Sequence, residues 1–267
     1  MDNYQFLRDY QDLQYEIMFD RLIDLGFCRI GYCHGENSSF WNQALTNKIL
    51  SNEQVEVIES TLNKLKRDST IYFENKKSLD GLTFLLKNKQ YKFSFEDSWL
   101  FHSGENISQD RFKEVKKVTS TSELKVFIDT FDACYQKNDP QNAYGELGDY
   151  LKVAKTVWEK HNKTNRIEYF TCYEKNEPVA VSSLTNYGNI GYISNVGSLR
   201  KVRGRGFGKL ATYYCVVESK KQGNKHHCLA TEDNTFADDF YKRIGFRKKF
   251  CAVAYTKLLL DKKKLSL

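Results

Sequence analysis

The stretch RGRGFG, residues 203–208, combines the residue types that bind anions. Three of its six residues are glycine, two are arginine, and an apolar pattern with helical spacing follows at once. Glycine lets backbone N–H groups approach a ligand, and a helix N-terminus attracts negative charge. Arg203 and Arg205 add side-chain donors for phosphate. The stretch predicts an anion-binding loop that favours a pyrophosphate over a carboxylate. The alternative is a flexible basic turn on a solvated surface.

Two common phosphate loops do not match this spacing. The P-loop requires GxxxxGK[ST], and Gly204, Gly206 and Gly208 lie too close together for it. The dinucleotide fingerprint GxGxxG requires a glycine at position 209, where this chain has Lys209. A P-loop nucleotidase and a dinucleotide-binding dehydrogenase are therefore excluded as interpretations of this loop.

The sequence on both sides of the loop contains segments with the hydrophobic periodicity of strands and segments with that of helices. Hairpin turns predict antiparallel neighbours before the loop, and a helix crossover after it predicts a parallel pair. The sequence thus predicts an α+β fold with a mixed sheet flanked by helices. The predicted helices are 122–135, 146–161, 207–223 and 234–245, the strands are 166–174, 179–186, 190–198, 226–232 and 246–258, residues 137–146 form a loop, and residues 261–267 form a solvated tail.

The N-terminal half carries a similar order of elements without the glycine loop. Its crossover helix begins at about residue 51 and the next strand at about residue 70, against about 206 and 226 in the C-terminal half. We expect two tandem lobes, 1–110 and 116–267, although chance similarity of two α/β stretches is the alternative. The predicted N-terminal elements are a strand at 38–47, a helix at 51–68, a strand at 69–75, a short helix at 78–89 and a strand pair at 91–104.

Composition restricts the class of protein. The chain has 267 residues, 40% of them hydrophobic, and a net charge of +7 that is spread along its length. The N-terminus lacks a signal-peptide pattern, and no apolar run approaches the roughly 18 residues that a membrane span needs. Seven cysteines without a CxxC pair indicate reduced thiols. We expect a cytoplasmic protein that binds neither membrane nor nucleic acid.

Other reactive residue types give weaker signals. His226 and His227 are adjacent, so on a strand they point to opposite faces, which is poor spacing for a metal. We expect no metal site. Cys172, Cys215 and Cys228 lie in apolar segments, where burial is favoured over a role as nucleophile.

Two segments together resemble a known family. RGRGFG matches the [RQ]-x-x-G-x-[GA] loop of the GCN5-related N-acetyltransferases (GNATs), and its flanks in NVGSLRKVRGRGFGKLAT are similar as well. About 30 residues later, DNTFADDFYKRIGF resembles the family segment N-x-x-A-x-x-[FL]-Y-x-x-x-G-F. The resemblance covers roughly residues 116–258; residues 1–110 are similar only in architecture, as in tandem members with a degenerate first copy. The chain departs from the family at Arg200, where many relatives have proline, and in a third strand without a carboxylate.

The resemblance implies acetyl-CoA as co-substrate and assigns roles to named residues. Tyr241 would be the general acid that protonates the leaving thiolate, and Asn234 would bind the pantetheine; a core aromatic and a helix N-cap are the respective alternatives. Backbone groups of one strand segment would hold the pantetheine, and those of one loop the pyrophosphate. The strand segment is Val196, Gly197 and Ser198, and the loop is Arg203, Gly204, Arg205, Gly206, Phe207, Gly208 and Lys209.

The general base cannot be assigned from the residues alone. Glu232 and Asp233 end a predicted strand near the loop and are candidates, and each could equally be a solvated loop carboxylate. Tyr192 and Ser194 could relay a proton through water. Glu146 and Asp149 precede or begin a predicted helix, where a surface role is the default. A lysine-like amine is mostly protonated near neutral pH, so one such group must accept its proton.

The leading hypothesis is an N-acetyltransferase that moves an acetyl group from acetyl-CoA to a primary amine by direct attack in a ternary complex. The acceptor is expected to be a small molecule, with a protein amine as the alternative, and the protein to be a monomer or a homodimer. A non-catalytic acyl-CoA-binding regulatory or sensor module is the second hypothesis. A basic nucleic-acid binder is the third, and the scattered basic residues disfavour it.

Overall fold

The computed structural model describes residues 2–139, 141 and 145–259. The chain divides into two compact units at two points, after Ser98 and again before Phe250. The second unit is Trp99–Lys249, and the first unit comprises the chain on either side of it. The predicted solvated tail, residues 261–267, and part of the predicted loop 137–146 lie outside the residues that the structure describes.

The first hundred residues form short strands and three amphipathic helices. The second helix starts with a capping box, because the Ser51 side chain accepts from the Gln54 amide and the Gln54 side chain accepts from the Ser51 amide. In chain order the elements are α1 Asn3–Gln14, β1 Arg21–Asp24, β2 Arg29–Tyr32, β3 Gln43–Leu45, α2 Asn52–Lys64, β4 Ser69–Glu74, α3 Asp80–Asn88 and β5 Lys92–His102.

The remainder of the chain has longer strands. Its first helix also begins with a capping box, between Ser120 and Glu123, as the sequence predicts. A 3₁₀ turn at Arg200–Val202 precedes the third helix of this part. The elements are β6 Val115–Lys117, α4 Thr121–Cys134, α5 Tyr150–His161, β7 Ile167–Glu174, β8 Glu177–Tyr187, β9 Ile190–Ser198, α6 Phe207–Lys221, β10 His226–Glu232, α7 Phe236–Arg243 and β11 Arg247–Lys257.

The sheet of the first unit has the strand order β1–β2–β3–β4–β11, followed by β5. β3 and β4 are parallel and are joined by α2, whereas β1, β2 and β3 are antiparallel neighbours and β11 runs antiparallel to β4. Apolar residues at helical spacing on α2 and α3 cover this sheet and form its core. The fully buried ones are Val55, Ile58, Leu62, Leu82 and Leu86.

The sheet of the second unit has the order β6–β7–β8–β9–β10, followed by β5, which belongs to this unit from Trp99 onward. β6 to β9 are antiparallel, and β9 and β10 are parallel and joined by α6. Each unit thus contains a parallel pair with a crossover helix, consistent with two GNAT-like lobes. The predicted α+β class with a mixed sheet flanked by helices is confirmed. That the first unit is a degenerate copy of the second stays a prediction.

Three predicted elements differ from the structure. The predicted strand at 38–47 is limited to the three residues of β3, because residues 38–42 form bends and turns. The second helix begins at Tyr150 rather than at residue 146, because Gly148 has a positive φ of 51° and Asp149 occupies the N-cap. The predicted strand pair at 91–104 is one strand of 11 residues, since no turn interrupts β5 between Lys92 and His102.

The limits of the two units also differ from the predicted lobes 1–110 and 116–267. Each unit takes up the last strand of the other half of the sequence: β11 pairs with β4, and β5 lies next to β10. The predicted limits follow the spacing of the repeat, whereas the compact units follow strand pairing. Which function belongs to which predicted lobe stays a prediction.

The cysteines, His227 and the apolar character of the helices can be compared with the expectations from the sequence. Cys172, Cys215 and Cys228 are buried free thiols, as predicted, and burial raises the pKa of the Cys172 thiol to about 12. His227 is buried, its Nδ1 lies 2.7 Å from the Ser219 Oγ, and burial lowers the pKa of the imidazole to about 4. In the part of the chain that the structure describes, no helix combines the length and apolar character that crossing a membrane requires.

Leu100 tests whether β5 belongs to the core of the second unit. Its side chain is fully buried among residues of that unit, so Leu100→Ala should lower the free energy of unfolding by about 2–5 kcal/mol through lost burial and a cavity. Leu258→Ala, at a side chain that is 71% exposed, is the matched control and should change it by less than about 0.5 kcal/mol. Urea unfolding measures both, and equal effects would contradict the assignment.

Candidate functional site

The parallel strands β9 and β10 separate part of the way along their length. Their register contains the pairs His226–Ile190, His227–Gly191 and Cys228–Tyr192, and no pair beyond these among the described residues. β9 nevertheless continues to Ser198. The separation leaves an opening within the second unit, bordered by the last residues of β9, and this stretch includes the predicted segment Val196–Ser198.

A β-bulge lies on β9 at this opening. The register with β8 shifts between Val181 and Ser183, and the extra residue falls near Asn195, which has a positive φ of 54°. Asparagine tolerates this backbone conformation better than most residues. The Asn195 side-chain oxygen accepts a hydrogen bond of 2.9 Å from the Tyr150 hydroxyl of α5. The bulge is therefore held from α5 at the point where the strands separate.

The end of α4 closes over the same part of β9. The Tyr135 hydroxyl donates to the Val196 carbonyl at 2.9 Å. Gly197 allows this approach, because a Cβ there would lie 2.7 Å from the Cys134 Cβ and 3.0 Å from the Tyr135 ring. Gly197 is thus required for packing of α4 on the strand, and the Val196 carbonyl is bonded to a side chain instead of to β10.

The anion loop, residues 203–209, connects β9 to α6 in the expected manner. Gly204 and Gly206 have φ values of 78° and 84°, a region that L-residues with a Cβ rarely adopt. Gly206 is the N-cap of α6, and no side chain from the described residues caps this helix. Gly204, Arg205, Gly206 and Lys209 are exposed, whereas Phe207 is buried. The amide end of a 15-residue helix is therefore presented at the surface of the unit.

The arginine side chains of the loop are directed toward carboxylates of the protein. Arg203 makes a bidentate contact with Asp139, with Nη1–Oδ1 at 2.7 Å and Nη2–Oδ2 at 2.5 Å. Arg200 Nε lies 3.3 Å from the Asp139 Oδ2, and Arg205 is bonded to Glu174. The Asp139 side chain is fully buried, and hydrogen bonds from Arg203 hold the pKa of its carboxyl well below the ordinary value. Asp139 thereby ties the loop to the segment that follows α4.

Helix α7 brings Tyr241 into the neighbourhood of the loop. The Phe240 ring lies 3.5 Å from the position that a Cβ on Gly208 would occupy, so α7 packs against the first turn of α6. Tyr241 is half-buried, and its ring packs on Phe240 and Phe246 with centroid distances of 5.1 and 5.7 Å. The aromatic packing that sequence reasoning offered as an alternative is therefore present, and it fixes the ring on α7.

The turn between β10 and α7 contains the remaining predicted residues. Glu232 is half-buried at the end of β10, and its carbonyl accepts from the Thr235 hydroxyl at 2.7 Å. Asn234 is exposed, and its side chain donates to the Asp233 carboxylate. The N-cap of α7 is Thr235, whose side chain accepts from the Asp238 amide, so the alternative interpretation of Asn234 as the helix N-cap is wrong. Asn234 instead occupies the left-handed turn before the cap, with φ of 59°.

The other candidates for proton transfer are distributed differently. The Ser194 hydroxyl lies on β9 and is 2.8 Å from the Ser183 hydroxyl, and Tyr192 is buried beside Trp99. Asp149 is exposed and paired with Lys152, and Glu146 is exposed. Among these groups, Ser194 on β9 and Glu232 at the end of β10 border the separation of the two strands.

Sequence reasoning missed the residues that hold this site together. Asp139, Tyr135 and Tyr150 reach the loop or β9 from the segments around α4 and α5, across at least 45 residues of sequence. No spacing rule predicts such contacts. The left-handed Asn195 had one usable signal, namely an asparagine inside an apolar strand.

Asp139 should stabilise the second unit in a pH-dependent manner. Asp139→Asn removes the buried carboxylate that faces Arg203 and should lower the free energy of unfolding by about 3 kcal/mol at neutral pH. The carboxyl binds a proton more weakly in the folded than in the unfolded chain, where its pKa is about 3.9. The wild-type advantage should therefore be complete above about pH 5 and decrease as the pH falls below 4.

Asp129→Asn is the matched control for this substitution. Asp129 lies on α4 in an exposed ion pair with Lys125, so its loss should change the stability by less than about 0.5 kcal/mol. Urea unfolding of the three proteins between pH 7 and pH 3 measures both effects. A difference between wild type and Asp139→Asn that stays constant over this range would contradict the ion-pair explanation.

Comparisons with known proteins agree with this geometry. Residues 125–246 match the family model of the acetyltransferase (GNAT) family. No match is found among curated proteins. A GCN5-related N-acetyltransferase from Kribbella flavida has a similar structure, with a TM-score of 0.67, 18% identity and coverage of 97% of each chain.

Two further solved structures are similar over most of the chain. A functionally unknown conserved protein from Staphylococcus epidermidis has a TM-score of 0.68 at 15% identity, covering 91% of this chain and 96% of its own. A tandem GNAT protein from the clavulanic acid biosynthesis pathway has a TM-score of 0.52 at 11% identity, with 86% and 78% covered. The resemblance seen in the two sequence motifs is confirmed by the match of residues 125–246 to the model of this acetyltransferase family.

Proposed function

We propose that this protein is an acetyl-CoA-dependent N-acetyltransferase that acts on a primary amine. The observation that carries the proposal is the separation of β9 from β10 after Tyr192 and Cys228, together with the continuation of β9 into the open N-terminus of α6. An extended ligand can lie along the strand edge and end with an anionic group at the helix amides. A pantetheine joined to a pyrophosphate has that form.

The residues of the site fit acetyl-CoA. The amide end of α6 lacks a side-chain cap from the described part of the chain, and nothing lies within 4 Å of a Cβ placed on Gly204. Arg203 and Arg205 are already paired with carboxylates, so the backbone amides of residues 203–209 are the main donors for the pyrophosphate. Along β9 the Val196 carbonyl is bonded to Tyr135, which leaves the other backbone groups of Val196–Ser198 that face away from β8 to hold the pantetheine.

Bound acetyl-CoA supplies a thioester whose acyl carbon a neutral amine attacks. Backbone N–H groups of the β9 segment polarise the thioester carbonyl and stabilise the negative charge that develops on its oxygen. The strand is fixed by Tyr150 at Asn195 and by Tyr135 at Val196, so these donors are oriented before the ligand binds. Fixed donors of this kind stabilise a developing charge without further reorganisation of the protein.

Two side chains complete the proposed proton transfers. Tyr241 donates a proton to the leaving sulfur, because a phenol with a pKa of about 10 and a thiol with one of about 8.5 are close enough to exchange a proton within a hydrogen bond. Glu232, at the end of β10, accepts the proton of the amine. The half-buried position of Tyr241 against Phe246 supports the first assignment, because it fixes the ring on α7.

The acceptor belongs to the class of primary amines. We propose a small-molecule amine, since the chain joins the catalytic unit to one further unit of similar topology; a protein amine is the second possibility for the acceptor. Outside residues 200–209 the basic residues are scattered along the chain, which fits a role without nucleic acid. We also propose that the protein is cytoplasmic and is a monomer or a homodimer.

Gly206→Trp tests the proposed binding of the pyrophosphate. The indole would cover the amide end of α6, so affinity for acetyl-CoA and CoA in isothermal titration should fall at least about 100-fold. Gly223→Trp is the control, because Gly223 follows the other end of α6 with a similar φ of 80° and open space around its Cβ position. The backbone strain of the Gly223→Trp variant is comparable, and its affinity for acetyl-CoA and CoA should equal that of the wild type. Failure of the folded wild type to bind either ligand would refute the proposal.

Tyr241→Phe separates an enzyme from a binding module. Removal of the hydroxyl should slow acetyl transfer about 100-fold or more and change the affinity for acetyl-CoA less than about twofold. Tyr214→Phe, a half-buried tyrosine of the same core, should affect neither quantity. Release of the CoA thiol with a panel of amines measures turnover. Binding of acetyl-CoA without turnover for any amine in the panel would favour the non-catalytic sensor.

A further inference from the structure

The segment between β5 and β6 runs along helix α6 of the second unit. The Gly104 carbonyl accepts from the Lys220 Nζ at 3.4 Å, near the end of α6. Ile107 and Phe112 pack on the core of the unit, and the Phe112 ring lies 5.0 Å from the Tyr214 ring of α6. The segment therefore reaches the opposite end of the helix at Arg111, where the anion loop leads into α6.

The Arg111 guanidinium makes three kinds of contact there. Nε and Nη2 bind the Glu114 carboxylate at 2.6–3.1 Å, which fixes the plane of the group. Nη1 donates to the Arg205 carbonyl at 3.1 Å. The guanidinium carbon lies 4.5 Å above the Phe207 ring, and Nη1 lies 3.7 Å from the Cβ position of Gly206. Arg111 is thus placed at the N-cap of α6 by a carboxylate and an aromatic ring.

We propose that Arg111 is a positioning residue for the phosphates of the cofactor and acts through the peptide between Arg205 and Gly206. This inference rests on the proposed function. The peptide bond is planar and trans, so holding the Arg205 carbonyl also fixes the direction of the Gly206 N–H. The contact also directs the Arg205 carbonyl, the negative end of that peptide, toward the Arg111 cation. The carbonyl oxygen therefore does not face an anion bound at the helix amides.

The glycines of the loop make such a contact necessary. Gly204 and Gly206 adopt positive φ, and glycine populates positive and negative φ about equally, so the sequence permits the observed loop without selecting it. Arg203 anchors the beginning of the loop through Asp139. Arg111 makes the corresponding contact at the peptide that precedes the helix. Its role is geometric, because Glu114 already compensates its charge.

Glu114→Gln gives the sharpest test, because two explanations predict opposite signs. The substitution leaves Arg111 in place, removes one negative charge beside the loop and loosens the guanidinium. If Arg111 acted only by charge, affinity for acetyl-CoA would rise; if it acts by position, affinity should fall about threefold. Arg111→Gln should reduce the affinity about tenfold or more. Lys113→Gln removes an exposed charge of the same sign in the same segment and should change the affinity less than about twofold.

Isothermal titration of the full-length chain with acetyl-CoA, with thermal unfolding of each variant, distinguishes the outcomes. Weaker binding by Arg111→Gln and by Glu114→Gln, with Lys113→Gln unchanged, supports the inference. Unchanged binding by Arg111→Gln, or tighter binding by Glu114→Gln, overturns it while the proposed function stands. If Arg111→Gln unfolds, Glu114→Gln decides. Failure of the wild type to bind overturns the proposed function and this inference together.

Discussion

The site depends on the end of the pairing between β9 and β10. After three residue pairs, the backbone groups of β9 that face away from β8 have no described strand partner up to Ser198. A backbone N–H or C=O group that is removed from water and has no hydrogen-bond partner destabilises the folded state. The protein satisfies one of them with the Tyr135 hydroxyl, at the Val196 carbonyl. The others could bind a ligand with amide groups of its own, and the irregularity in the sheet thus creates the edge at which we propose that the pantetheine binds.

The loop that follows combines a permissive backbone with ionic contacts that select one conformation. Glycine at positions 204 and 206 makes the turn accessible, but the bidentate contact of Arg203 with the buried Asp139 is what holds it. The consequence is that the arginines of the motif are compensated within the protein. In the proposed function, recognition of the pyrophosphate then rests mainly on backbone amides and the dipole of α6. The arginines of the stretch therefore contribute to the architecture of the loop.

From the sequence, the elements whose ends carry strong local signals could be predicted correctly. The capping box of Ser120 and Glu123 and the glycines at 206 and 223 placed α4 and α6 within about two residues, because caps and left-handed glycines act over one turn. The sequence did not predict Asp139 at Arg203 or Tyr135 at Val196, since these contacts join residues about 60 apart in sequence. For the same reason, the family motif indicated a candidate site, but the groups that orient its residues became visible only in the structure.

The exchange of final strands shows why the halves of the sequence are not the units of the structure. β11 completes the sheet of the first unit beside β4, and Leu100 of β5 lies in the core of the second. Cutting the chain between residues 110 and 116 would remove a buried strand segment from the unit that carries the anion loop. Arg111 would be lost with it, although it contacts that loop directly. The predicted first lobe therefore contributes Leu100 to the core of the second unit, and Arg111, between the two predicted lobes, contributes a contact at the N-terminus of α6.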